Sequence, residues 1–119
     1  MFYDDNEKVM IVEGVTDKKK VERLLAEDIL IICTYGTLGV ERLDELLYEY
    51  DLDNKQVYIL VDEDRAGIKL RKLLSQELPH ATHIYINEGY REVATTPDHA
   101  LAVTLLSKGL SVYPSFLKR

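Results

Sequence analysis

The chain has 119 residues, a formal net charge of −6, and hydrophobic and charged fractions of 46% and 30%. This length is enough for one globular domain with its own core. No apolar run approaches the roughly 20 residues that a membrane-spanning helix needs, and the acidic N-terminus, residues 1–5, does not resemble a signal peptide. A single cysteine, Cys33, excludes an internal disulfide, so we expect a cytoplasmic protein without a membrane association. The negative charge argues against nucleic-acid binding by bulk electrostatics, although a bound cation would still attract phosphates.

Short apolar segments alternate with amphipathic segments along the chain. Segments rich in Val and Ile predict strands over 8–13, 29–33, 56–61 and 82–87. Apolar residues at helical spacing predict helices over about 16–27, 40–50, 65–78 and 96–108. The tail, 110–119, fits neither pattern. The alternation predicts a mainly parallel sheet of about four strands with helices on both faces, in a single domain over 1–119 whose core covers about 8–90.

Polar residues follow three of the predicted strands. They are Glu13-Gly14 after the first strand, Thr34 and the turn Gly36-Thr37 after the second, and Asp62-Glu63-Asp64 after the third. Because side chains alternate along extended backbone, Asp62 and Asp64 should point the same way, and Glu13 on a neighbouring strand can join them. Carboxylates this close repel one another unless a cation neutralises them. Such oxygen ligands suit Mg²⁺, with Mn²⁺ as an alternative.

The order of these motifs resembles the Toprim domain: E-G, then T-x-G-T, then D-x-D-R-A-G. That domain occurs in bacterial primases, type IA and type II topoisomerases, the nuclease that matures 5S ribosomal RNA, and recombination and overcoming-lysogenization proteins. The run 64–67 is most similar to the primase form, and Glu13-Gly14 with Asp17 is most similar to the maturation nuclease. The resemblance covers about 8–90 and implies a Rossmann-like three-layer sandwich.

The resemblance also implies roles for individual residues. Glu13 matches the family's glutamate, a general acid or base that also lies at the metal, while Asp62 and Asp64 match the aspartates that coordinate Mg²⁺. The residues implied at the substrate are Gly14, Lys18, Gly36, Thr37 and Arg65. Topoisomerases and complete primases need further domains, so we expect neither in 119 residues.

Several charged residues allow two interpretations. The run 18–20 places three lysines in the first turn of a helix, against the macrodipole, which favours either a phosphate contact or a solvated basic face. Arg65 can orient a carboxylate or bind a phosphate. Asp17 is expected as the helix N-cap and can contact the metal or a water as well. Glu63 either supports the metal ligands from outside the coordination shell or is a solvated acid.

The remaining polar and aromatic side chains carry weaker signals. The histidines lie at 80, 83 and 99, without the spacing of a zinc site. Tyr85, Tyr90 and Arg91 either form a surface on which bases stack or belong to the sheet and its loop.

Two functions fit these observations. The first is metal-dependent phosphodiester cleavage of RNA or DNA, with Glu13 transferring a proton. The second is a non-catalytic module that binds metal and nucleic acid and works with a protein partner or as a homodimer. Other phosphoryl-transfer families fit less well. A receiver domain needs an acidic pair after the first strand, haloacid dehalogenases carry D-x-D there, and the glycine-rich motifs of nucleotide-binding folds are absent.

Overall fold

A computed structural model describes residues 7–36, 39–87 and 89–118. Thr37, which the resemblance implies at the substrate, and the acidic N-terminal residues lie outside the described residues. The strands are β1 (Lys8–Val12), β2 (Leu30–Cys33), β3 (Gln56–Leu60) and β4 (Thr82–Ile84). The α-helices are α1 (Val15–Leu24), α2 (Val40–Glu49), α3 (Arg65–Glu77) and α4 (Asp98–Ser107). Short 3₁₀ helices cover Leu52–Asn54 and Pro114–Leu117.

The sheet is parallel throughout, with the strand order β2-β1-β3-β4. Ile11 of the central strand β1 pairs with Ile32 on one side and Ile59 on the other. This register aligns the carboxyl ends of the three strands, so the residues that follow β1 and β3 become neighbours. The prediction of a mainly parallel four-stranded sheet is confirmed.

Apolar side chains cover both faces of the sheet, as buried parallel strands require. Met10, Val12, Leu60 and Ile84 join one cluster of buried residues, to which α1 and α4 contribute Val21, Leu24, Leu101 and Leu105. The alternate positions Val9, Ile11 and Ile59 join a second cluster, to which α2 and α3 contribute Leu43, Leu46, Leu70 and Leu74. The helices therefore form two layers around the sheet, and the predicted three-layer sandwich is confirmed.

The tail takes a definite place in the fold. Leu25, just after α1, forms an antiparallel bridge with Val112, and the amide of Ala26 donates to the carbonyl of Ser111 at 2.8 Å. The predicted extension of the first helix to residue 27 is wrong for this reason: the chain leaves the helix at Leu25 to pair with the tail.

The fourth strand is also shorter than predicted, since it ends at Ile84 and the chain to Asn87 leaves the sheet. None of the helices in the described ranges is long and apolar enough to cross a membrane.

Candidate metal centre

Three carboxylates meet at the carboxyl ends of β1 and β3. Glu13, Asp62 and Asp64 each offer one oxygen, and these oxygens all lie within 4.8 Å of one another. Glu13 and Asp62 are half-buried. The structure therefore brings together the three acidic residues that the sequence placed at one site.

A backbone amide holds each carboxylate in place. Glu13 Oε1 accepts a hydrogen bond from the Asp62 amide at 2.7 Å, which ties the end of β1 to the end of β3. Asp62 Oδ1 accepts from the Val93 amide at 2.8 Å. Asp64 Oδ1 accepts from the Gly67 amide at 2.8 Å and so caps the N-terminus of α3. Each of these bonds uses one carboxylate oxygen and orients the other.

Gly67 is required by close packing at this site. A Cβ atom there would lie 1.9 Å from the carbonyl oxygen of Asp62, because the first turn of α3 crosses directly over the end of β3. The last residue of the D-R-A-G run therefore lets the helix approach the strand that carries the aspartates.

Burial raises the pKa of Glu13, and the neighbouring carboxylates of Asp62, Asp64 and Asp17 raise it further, against the lowering effect of the Asp62 amide. Burial likewise raises the pKa of Asp62, where the Val93 amide opposes the shift and the carboxylates of Asp17, Asp64 and Glu92 add to it. The site thus favours protons or another cation.

Asp17 occupies a different position from the one predicted. Gly14, not Asp17, is the N-cap of α1, and the buried Asp17 side chain accepts a hydrogen bond from the Gly14 amide at 3.2 Å. Burial raises the pKa of Asp17, and the carboxylate of Glu92 adds to this effect. Gly14 itself has an extended backbone with φ of −143°, a conformation that any residue adopts.

The segment after β2 lies against the end of β1. The Thr34 and Tyr35 amides donate to the carbonyls of Val12 and Glu13, at 2.9 and 2.7 Å. Tyr35 and Gly36 have positive φ angles of 56° and 105°, so the chain turns sharply beside Glu13. The hydroxyl of Thr34 is buried without a hydrogen-bond partner in the described structure.

The predicted basic residues have different settings. Lys20 makes contacts within the fold. Its ammonium donates to the carbonyl of Ala94 at 3.2 Å and lies 3.6 Å from Oδ1 of Asp98. Lys18 is half-buried and Lys19 is exposed. Arg65 is exposed in the first turn of α3, directly after the ligand candidate Asp64.

Sequence reasoning missed the segment that runs from β4 to α4 over this edge of the sheet. Its Arg91 carbonyl accepts from the Glu63 amide at 2.7 Å, and its Val93 amide donates to Asp62. The segment thus supports the D-x-D residues from outside the sheet.

A buried arginine was also missed. The guanidinium of Arg71, on α3, bonds Glu63 Oε1 at 3.0 Å, the Ile84 carbonyl at 3.0 Å and His83 Nδ1 at 3.0 Å, and it lies 4.2 Å from the centre of the Tyr85 ring. Arg71 interrupts the apolar stripe of its helix, and this interruption could have indicated a buried arginine from the sequence. Glu63 and His83 are therefore structural partners of this arginine.

The fold and the site together define a parallel α/β sandwich with oxygen donors at the carboxyl ends of its central strands. The family model for the Toprim domain matches residues 8–91, and the chain belongs to that family. The resemblance read from the three motifs is confirmed.

Proteins similar to this chain are known from several bacteria. YusF of Bacillus subtilis, described as uncharacterized, is 50% identical over 119 residues, which are all of this chain and 80% of that protein. A solved small Toprim domain protein from Bacillus stearothermophilus is 46% identical with a TM-score of 0.89, covering 96% of this chain and 95% of that one. Ribonuclease M5 1 of Ligilactobacillus salivarius is 29% identical over 83 residues, 68% of this chain and 42% of the ribonuclease.

Proposed function

We propose that this protein binds a divalent cation through Asp62, Asp64 and Glu13 and cleaves phosphodiester bonds in nucleic acid. The observation that carries the proposal is the convergence of three carboxylate oxygens within 4.8 Å at the carboxyl edge of a Toprim sheet. Membership of the family, and the distant likeness to a ribonuclease, support nucleic acid as the substrate.

The donor set fits Mg²⁺ or Mn²⁺. All three donors are carboxylate oxygens, which hard cations prefer, and the group contains no histidine or cysteine. Burial is the main cause of the raised pKa values of Glu13 and Asp62, and repulsion between the neighbouring carboxylates adds to it. A bound cation would relieve that repulsion. Partial exposure of the site leaves room for waters and a phosphate.

When bound, a divalent cation would polarise the scissile phosphate and lower the pKa of a coordinated water. Asp62 and Asp64 would hold it, with their amide bonds fixing the two side chains. Glu13, whose pKa burial raises, is suited to take a proton from the attacking water or give one to the leaving oxygen. Its Oε1 is occupied by the Asp62 amide, so Oε2 would carry the proton.

The residues around the triad would position the substrate. Arg65 follows Asp64 directly and Lys18 lies in the first turn of α1, so both can reach a phosphate near the metal. Gly14 and Gly36 stay in the proposal as backbone beside Glu13, and Thr37 stays in it on the resemblance alone. Whether RNA or DNA is cut depends on contacts beyond these residues.

The experiment that tests the proposal is a cleavage panel of structured RNA, single-stranded DNA and supercoiled DNA. Wild type is compared with Glu13→Gln in Mg²⁺, in Mn²⁺ and with chelator. We expect cleavage that needs the metal and falls at least 100-fold in the variant, as general acid–base catalysis contributes about 10²- to 10⁴-fold. Asp53→Asn, an exposed carboxylate before β3 at the opposite edge of the sheet, is the matched control.

A second function is favoured by one observation, the net charge of −6. A protein this acidic attracts phosphates weakly by itself. This favours a non-catalytic module that binds metal and engages nucleic acid only together with a protein partner or as a homodimer. Metal binding without cleavage of any substrate in the panel would favour this function and contradict the first one.

A further inference from the structure

A pocket of about 390 Å³ lies between the segment that follows β4 and the first two turns of α4. It is lined by Asn87, Tyr90, Pro97, His99, Ala100 and Val103. Tyr90 and Val103 are 36% and 44% exposed, so their apolar surface is open to a ligand. A pocket of this volume accommodates a small planar molecule and is too small for a double helix.

The lining combines flat apolar surface with a few hydrogen-bonding groups. The ring of Tyr90, with Pro97 and Val103, offers the kind of surface on which an aromatic ring stacks. The Asn87 side-chain amide has both donors and an acceptor, which match the edge of a base. His99 Nδ1 bonds the Phe116 carbonyl at 3.1 Å, so its ring is held in a fixed orientation in the pocket wall.

One short segment of chain connects the wall of the pocket to the metal centre. Asn87 and Tyr90 are joined by a turn, in which the Tyr90 amide donates to the Asn87 carbonyl at 3.1 Å. The next residue is Arg91, whose side chain is exposed and whose backbone carbonyl accepts a hydrogen bond from the Glu63 amide. The Val93 amide donates to the Asp62 carboxylate. The wall of the pocket and the outer support of the D-x-D residues are therefore the same segment.

We propose that this pocket binds one unpaired base of the strand whose phosphate lies at the metal centre, with Tyr90 as the stacking residue. The position of that phosphate rests on the proposed function; the pocket and its chemistry do not. Arg91, exposed between the pocket and the triad, would contact the intervening phosphate. The substrate is then single-stranded where it meets this protein.

A single-stranded oligonucleotide that carries 2-aminopurine tests the proposal. The full chain contains no tryptophan, and stacking quenches the 2-aminopurine emission. With Ca²⁺ present, we expect Tyr90→Ala to weaken binding on the order of tenfold and to remove the quenching. Tyr90→Phe should keep both, because the phenyl ring still stacks. Tyr48→Ala, at a tyrosine 91% exposed on α2, is the matched control and should bind like wild type.

An oligonucleotide with an abasic site in place of the 2-aminopurine completes the test. It should bind wild type as weakly as the intact strand binds Tyr90→Ala, and combining the two changes should add nothing further. Equal binding of intact and abasic strands, no binding of either strand, or a Tyr90→Ala variant that behaves like Tyr48→Ala would overturn the proposal.

Cleavage of the same strand in Mg²⁺ distinguishes this failure from failure of the proposed function. Cleavage that is indifferent to Tyr90→Ala would leave the nuclease proposal standing and remove the pocket. Binding that depends on the base and on Tyr90, without any cleavage, would support the pocket proposal and contradict the nuclease proposal.

Discussion

The half-buried carboxylate of Asp62 destabilises the folded protein when no cation is present. Its pKa is raised above the ordinary 3.8 by burial and by nearby carboxylates. The folded state therefore binds a proton at Asp62 more tightly than the unfolded state does. The stability that this proton gives the folded state is fully present at acidic pH and is lost as the pH rises through the raised pKa.

We therefore expect Asp62→Asn to raise the melting temperature in chelator at pH 7 by a few degrees, on the order of 1 kcal/mol or less for a partly exposed group. The asparagine keeps an oxygen for the Val93 amide and removes the charge. Mg²⁺ or Mn²⁺ should stabilise wild type and have little effect on the variant. Thermal unfolding followed by circular dichroism checks this, with Asp53→Asn as control. A variant that melts below wild type in chelator would contradict the expectation.

Gly67 offers a steric test of the same site. A Cβ at this position would meet the Asp62 carbonyl at 1.9 Å, so Gly67→Ala must displace either α3 or the end of β3. We expect a loss of about 1–3 kcal/mol in stability, as for other overpacked positions, together with weaker metal binding. Urea unfolding and a Mn²⁺ titration measure the two effects.

Gly39 provides the matched control for that substitution. It lies at the N-cap of α2 with φ of −81°, and nothing lies within 4 Å of the Cβ that Gly39→Ala would add. Alanine is a poorer N-cap than glycine but also lowers the entropy of the unfolded chain, so the net cost should be below about 1 kcal/mol. Similar losses in the two variants would show that Gly67 has no special packing role.

The sequence was informative about residues whose positions depend on local periodicity. Glu13, Asp62 and Asp64 could be placed together because strand alternation and a parallel sheet determine which way they point. Nothing local indicates that Val93 reaches Asp62, since 31 residues separate them and the contact depends on the path of the connecting segment. The same holds for Asp17, whose position three residues into the helix depends on where α1 begins.

At the scale of elements, Arg71 joins α3 to the segment that follows β3 and to the edge strand β4. Its guanidinium contacts the Glu63 carboxylate and the Ile84 carbonyl, and its side chain is only 10% exposed. Since the Glu63 carboxylate is 27% exposed, breaking the pair leaves a partly buried charge behind.

We expect Arg71→Ala to cost about 2–4 kcal/mol in unfolding free energy, because the Glu63 carboxylate and the Ile84 carbonyl lose their partner. Arg71→Met with Glu63→Gln should recover part of the loss, since no charge is left unpaired. Arg42→Ala breaks the exposed pair with Glu45 and should cost less than about 1 kcal/mol. Urea unfolding of the four proteins compares these effects, and equal losses for Arg71→Ala and Arg42→Ala would rule out the bridging role.

At the scale of the whole molecule, the fold could be predicted because β1, β2 and β3 are largely apolar on both faces and α1, α2 and α3 each carry an apolar stripe. The tail could not, because its structure comes from long-range pairing. Leu110 and Val112 are 0% and 7% exposed, yet the segment shows neither strand nor helix periodicity in the sequence. The Leu25–Val112 bridge and backbone hydrogen bonds to Leu24 and Ala26 hold it in place.

The distribution of charge over the molecule predicts how nucleic-acid binding responds to salt. With a net charge of −6, we expect side chains to neutralise only a few phosphates. Lys18 in the first turn of α1, Arg65 directly after Asp64 and Arg91 in the segment that supports Asp62 are exposed or half-buried cations on elements of the proposed site. Neutralising up to three phosphates of a single strand gives a slope of log K against log[salt] no steeper than about −2.

A binding titration in Ca²⁺ at several monovalent salt concentrations measures that slope. We expect Lys18→Ala to make it shallower by about 0.7, the contribution of one phosphate contact on a single strand. Lys108→Ala, at the C-terminal end of α4 and so at the opposite edge of the sheet, should leave the slope unchanged. A wild-type slope beyond about −4 would mean that more cations engage the strand than this edge of the fold supplies, as a partner chain or a homodimer would provide.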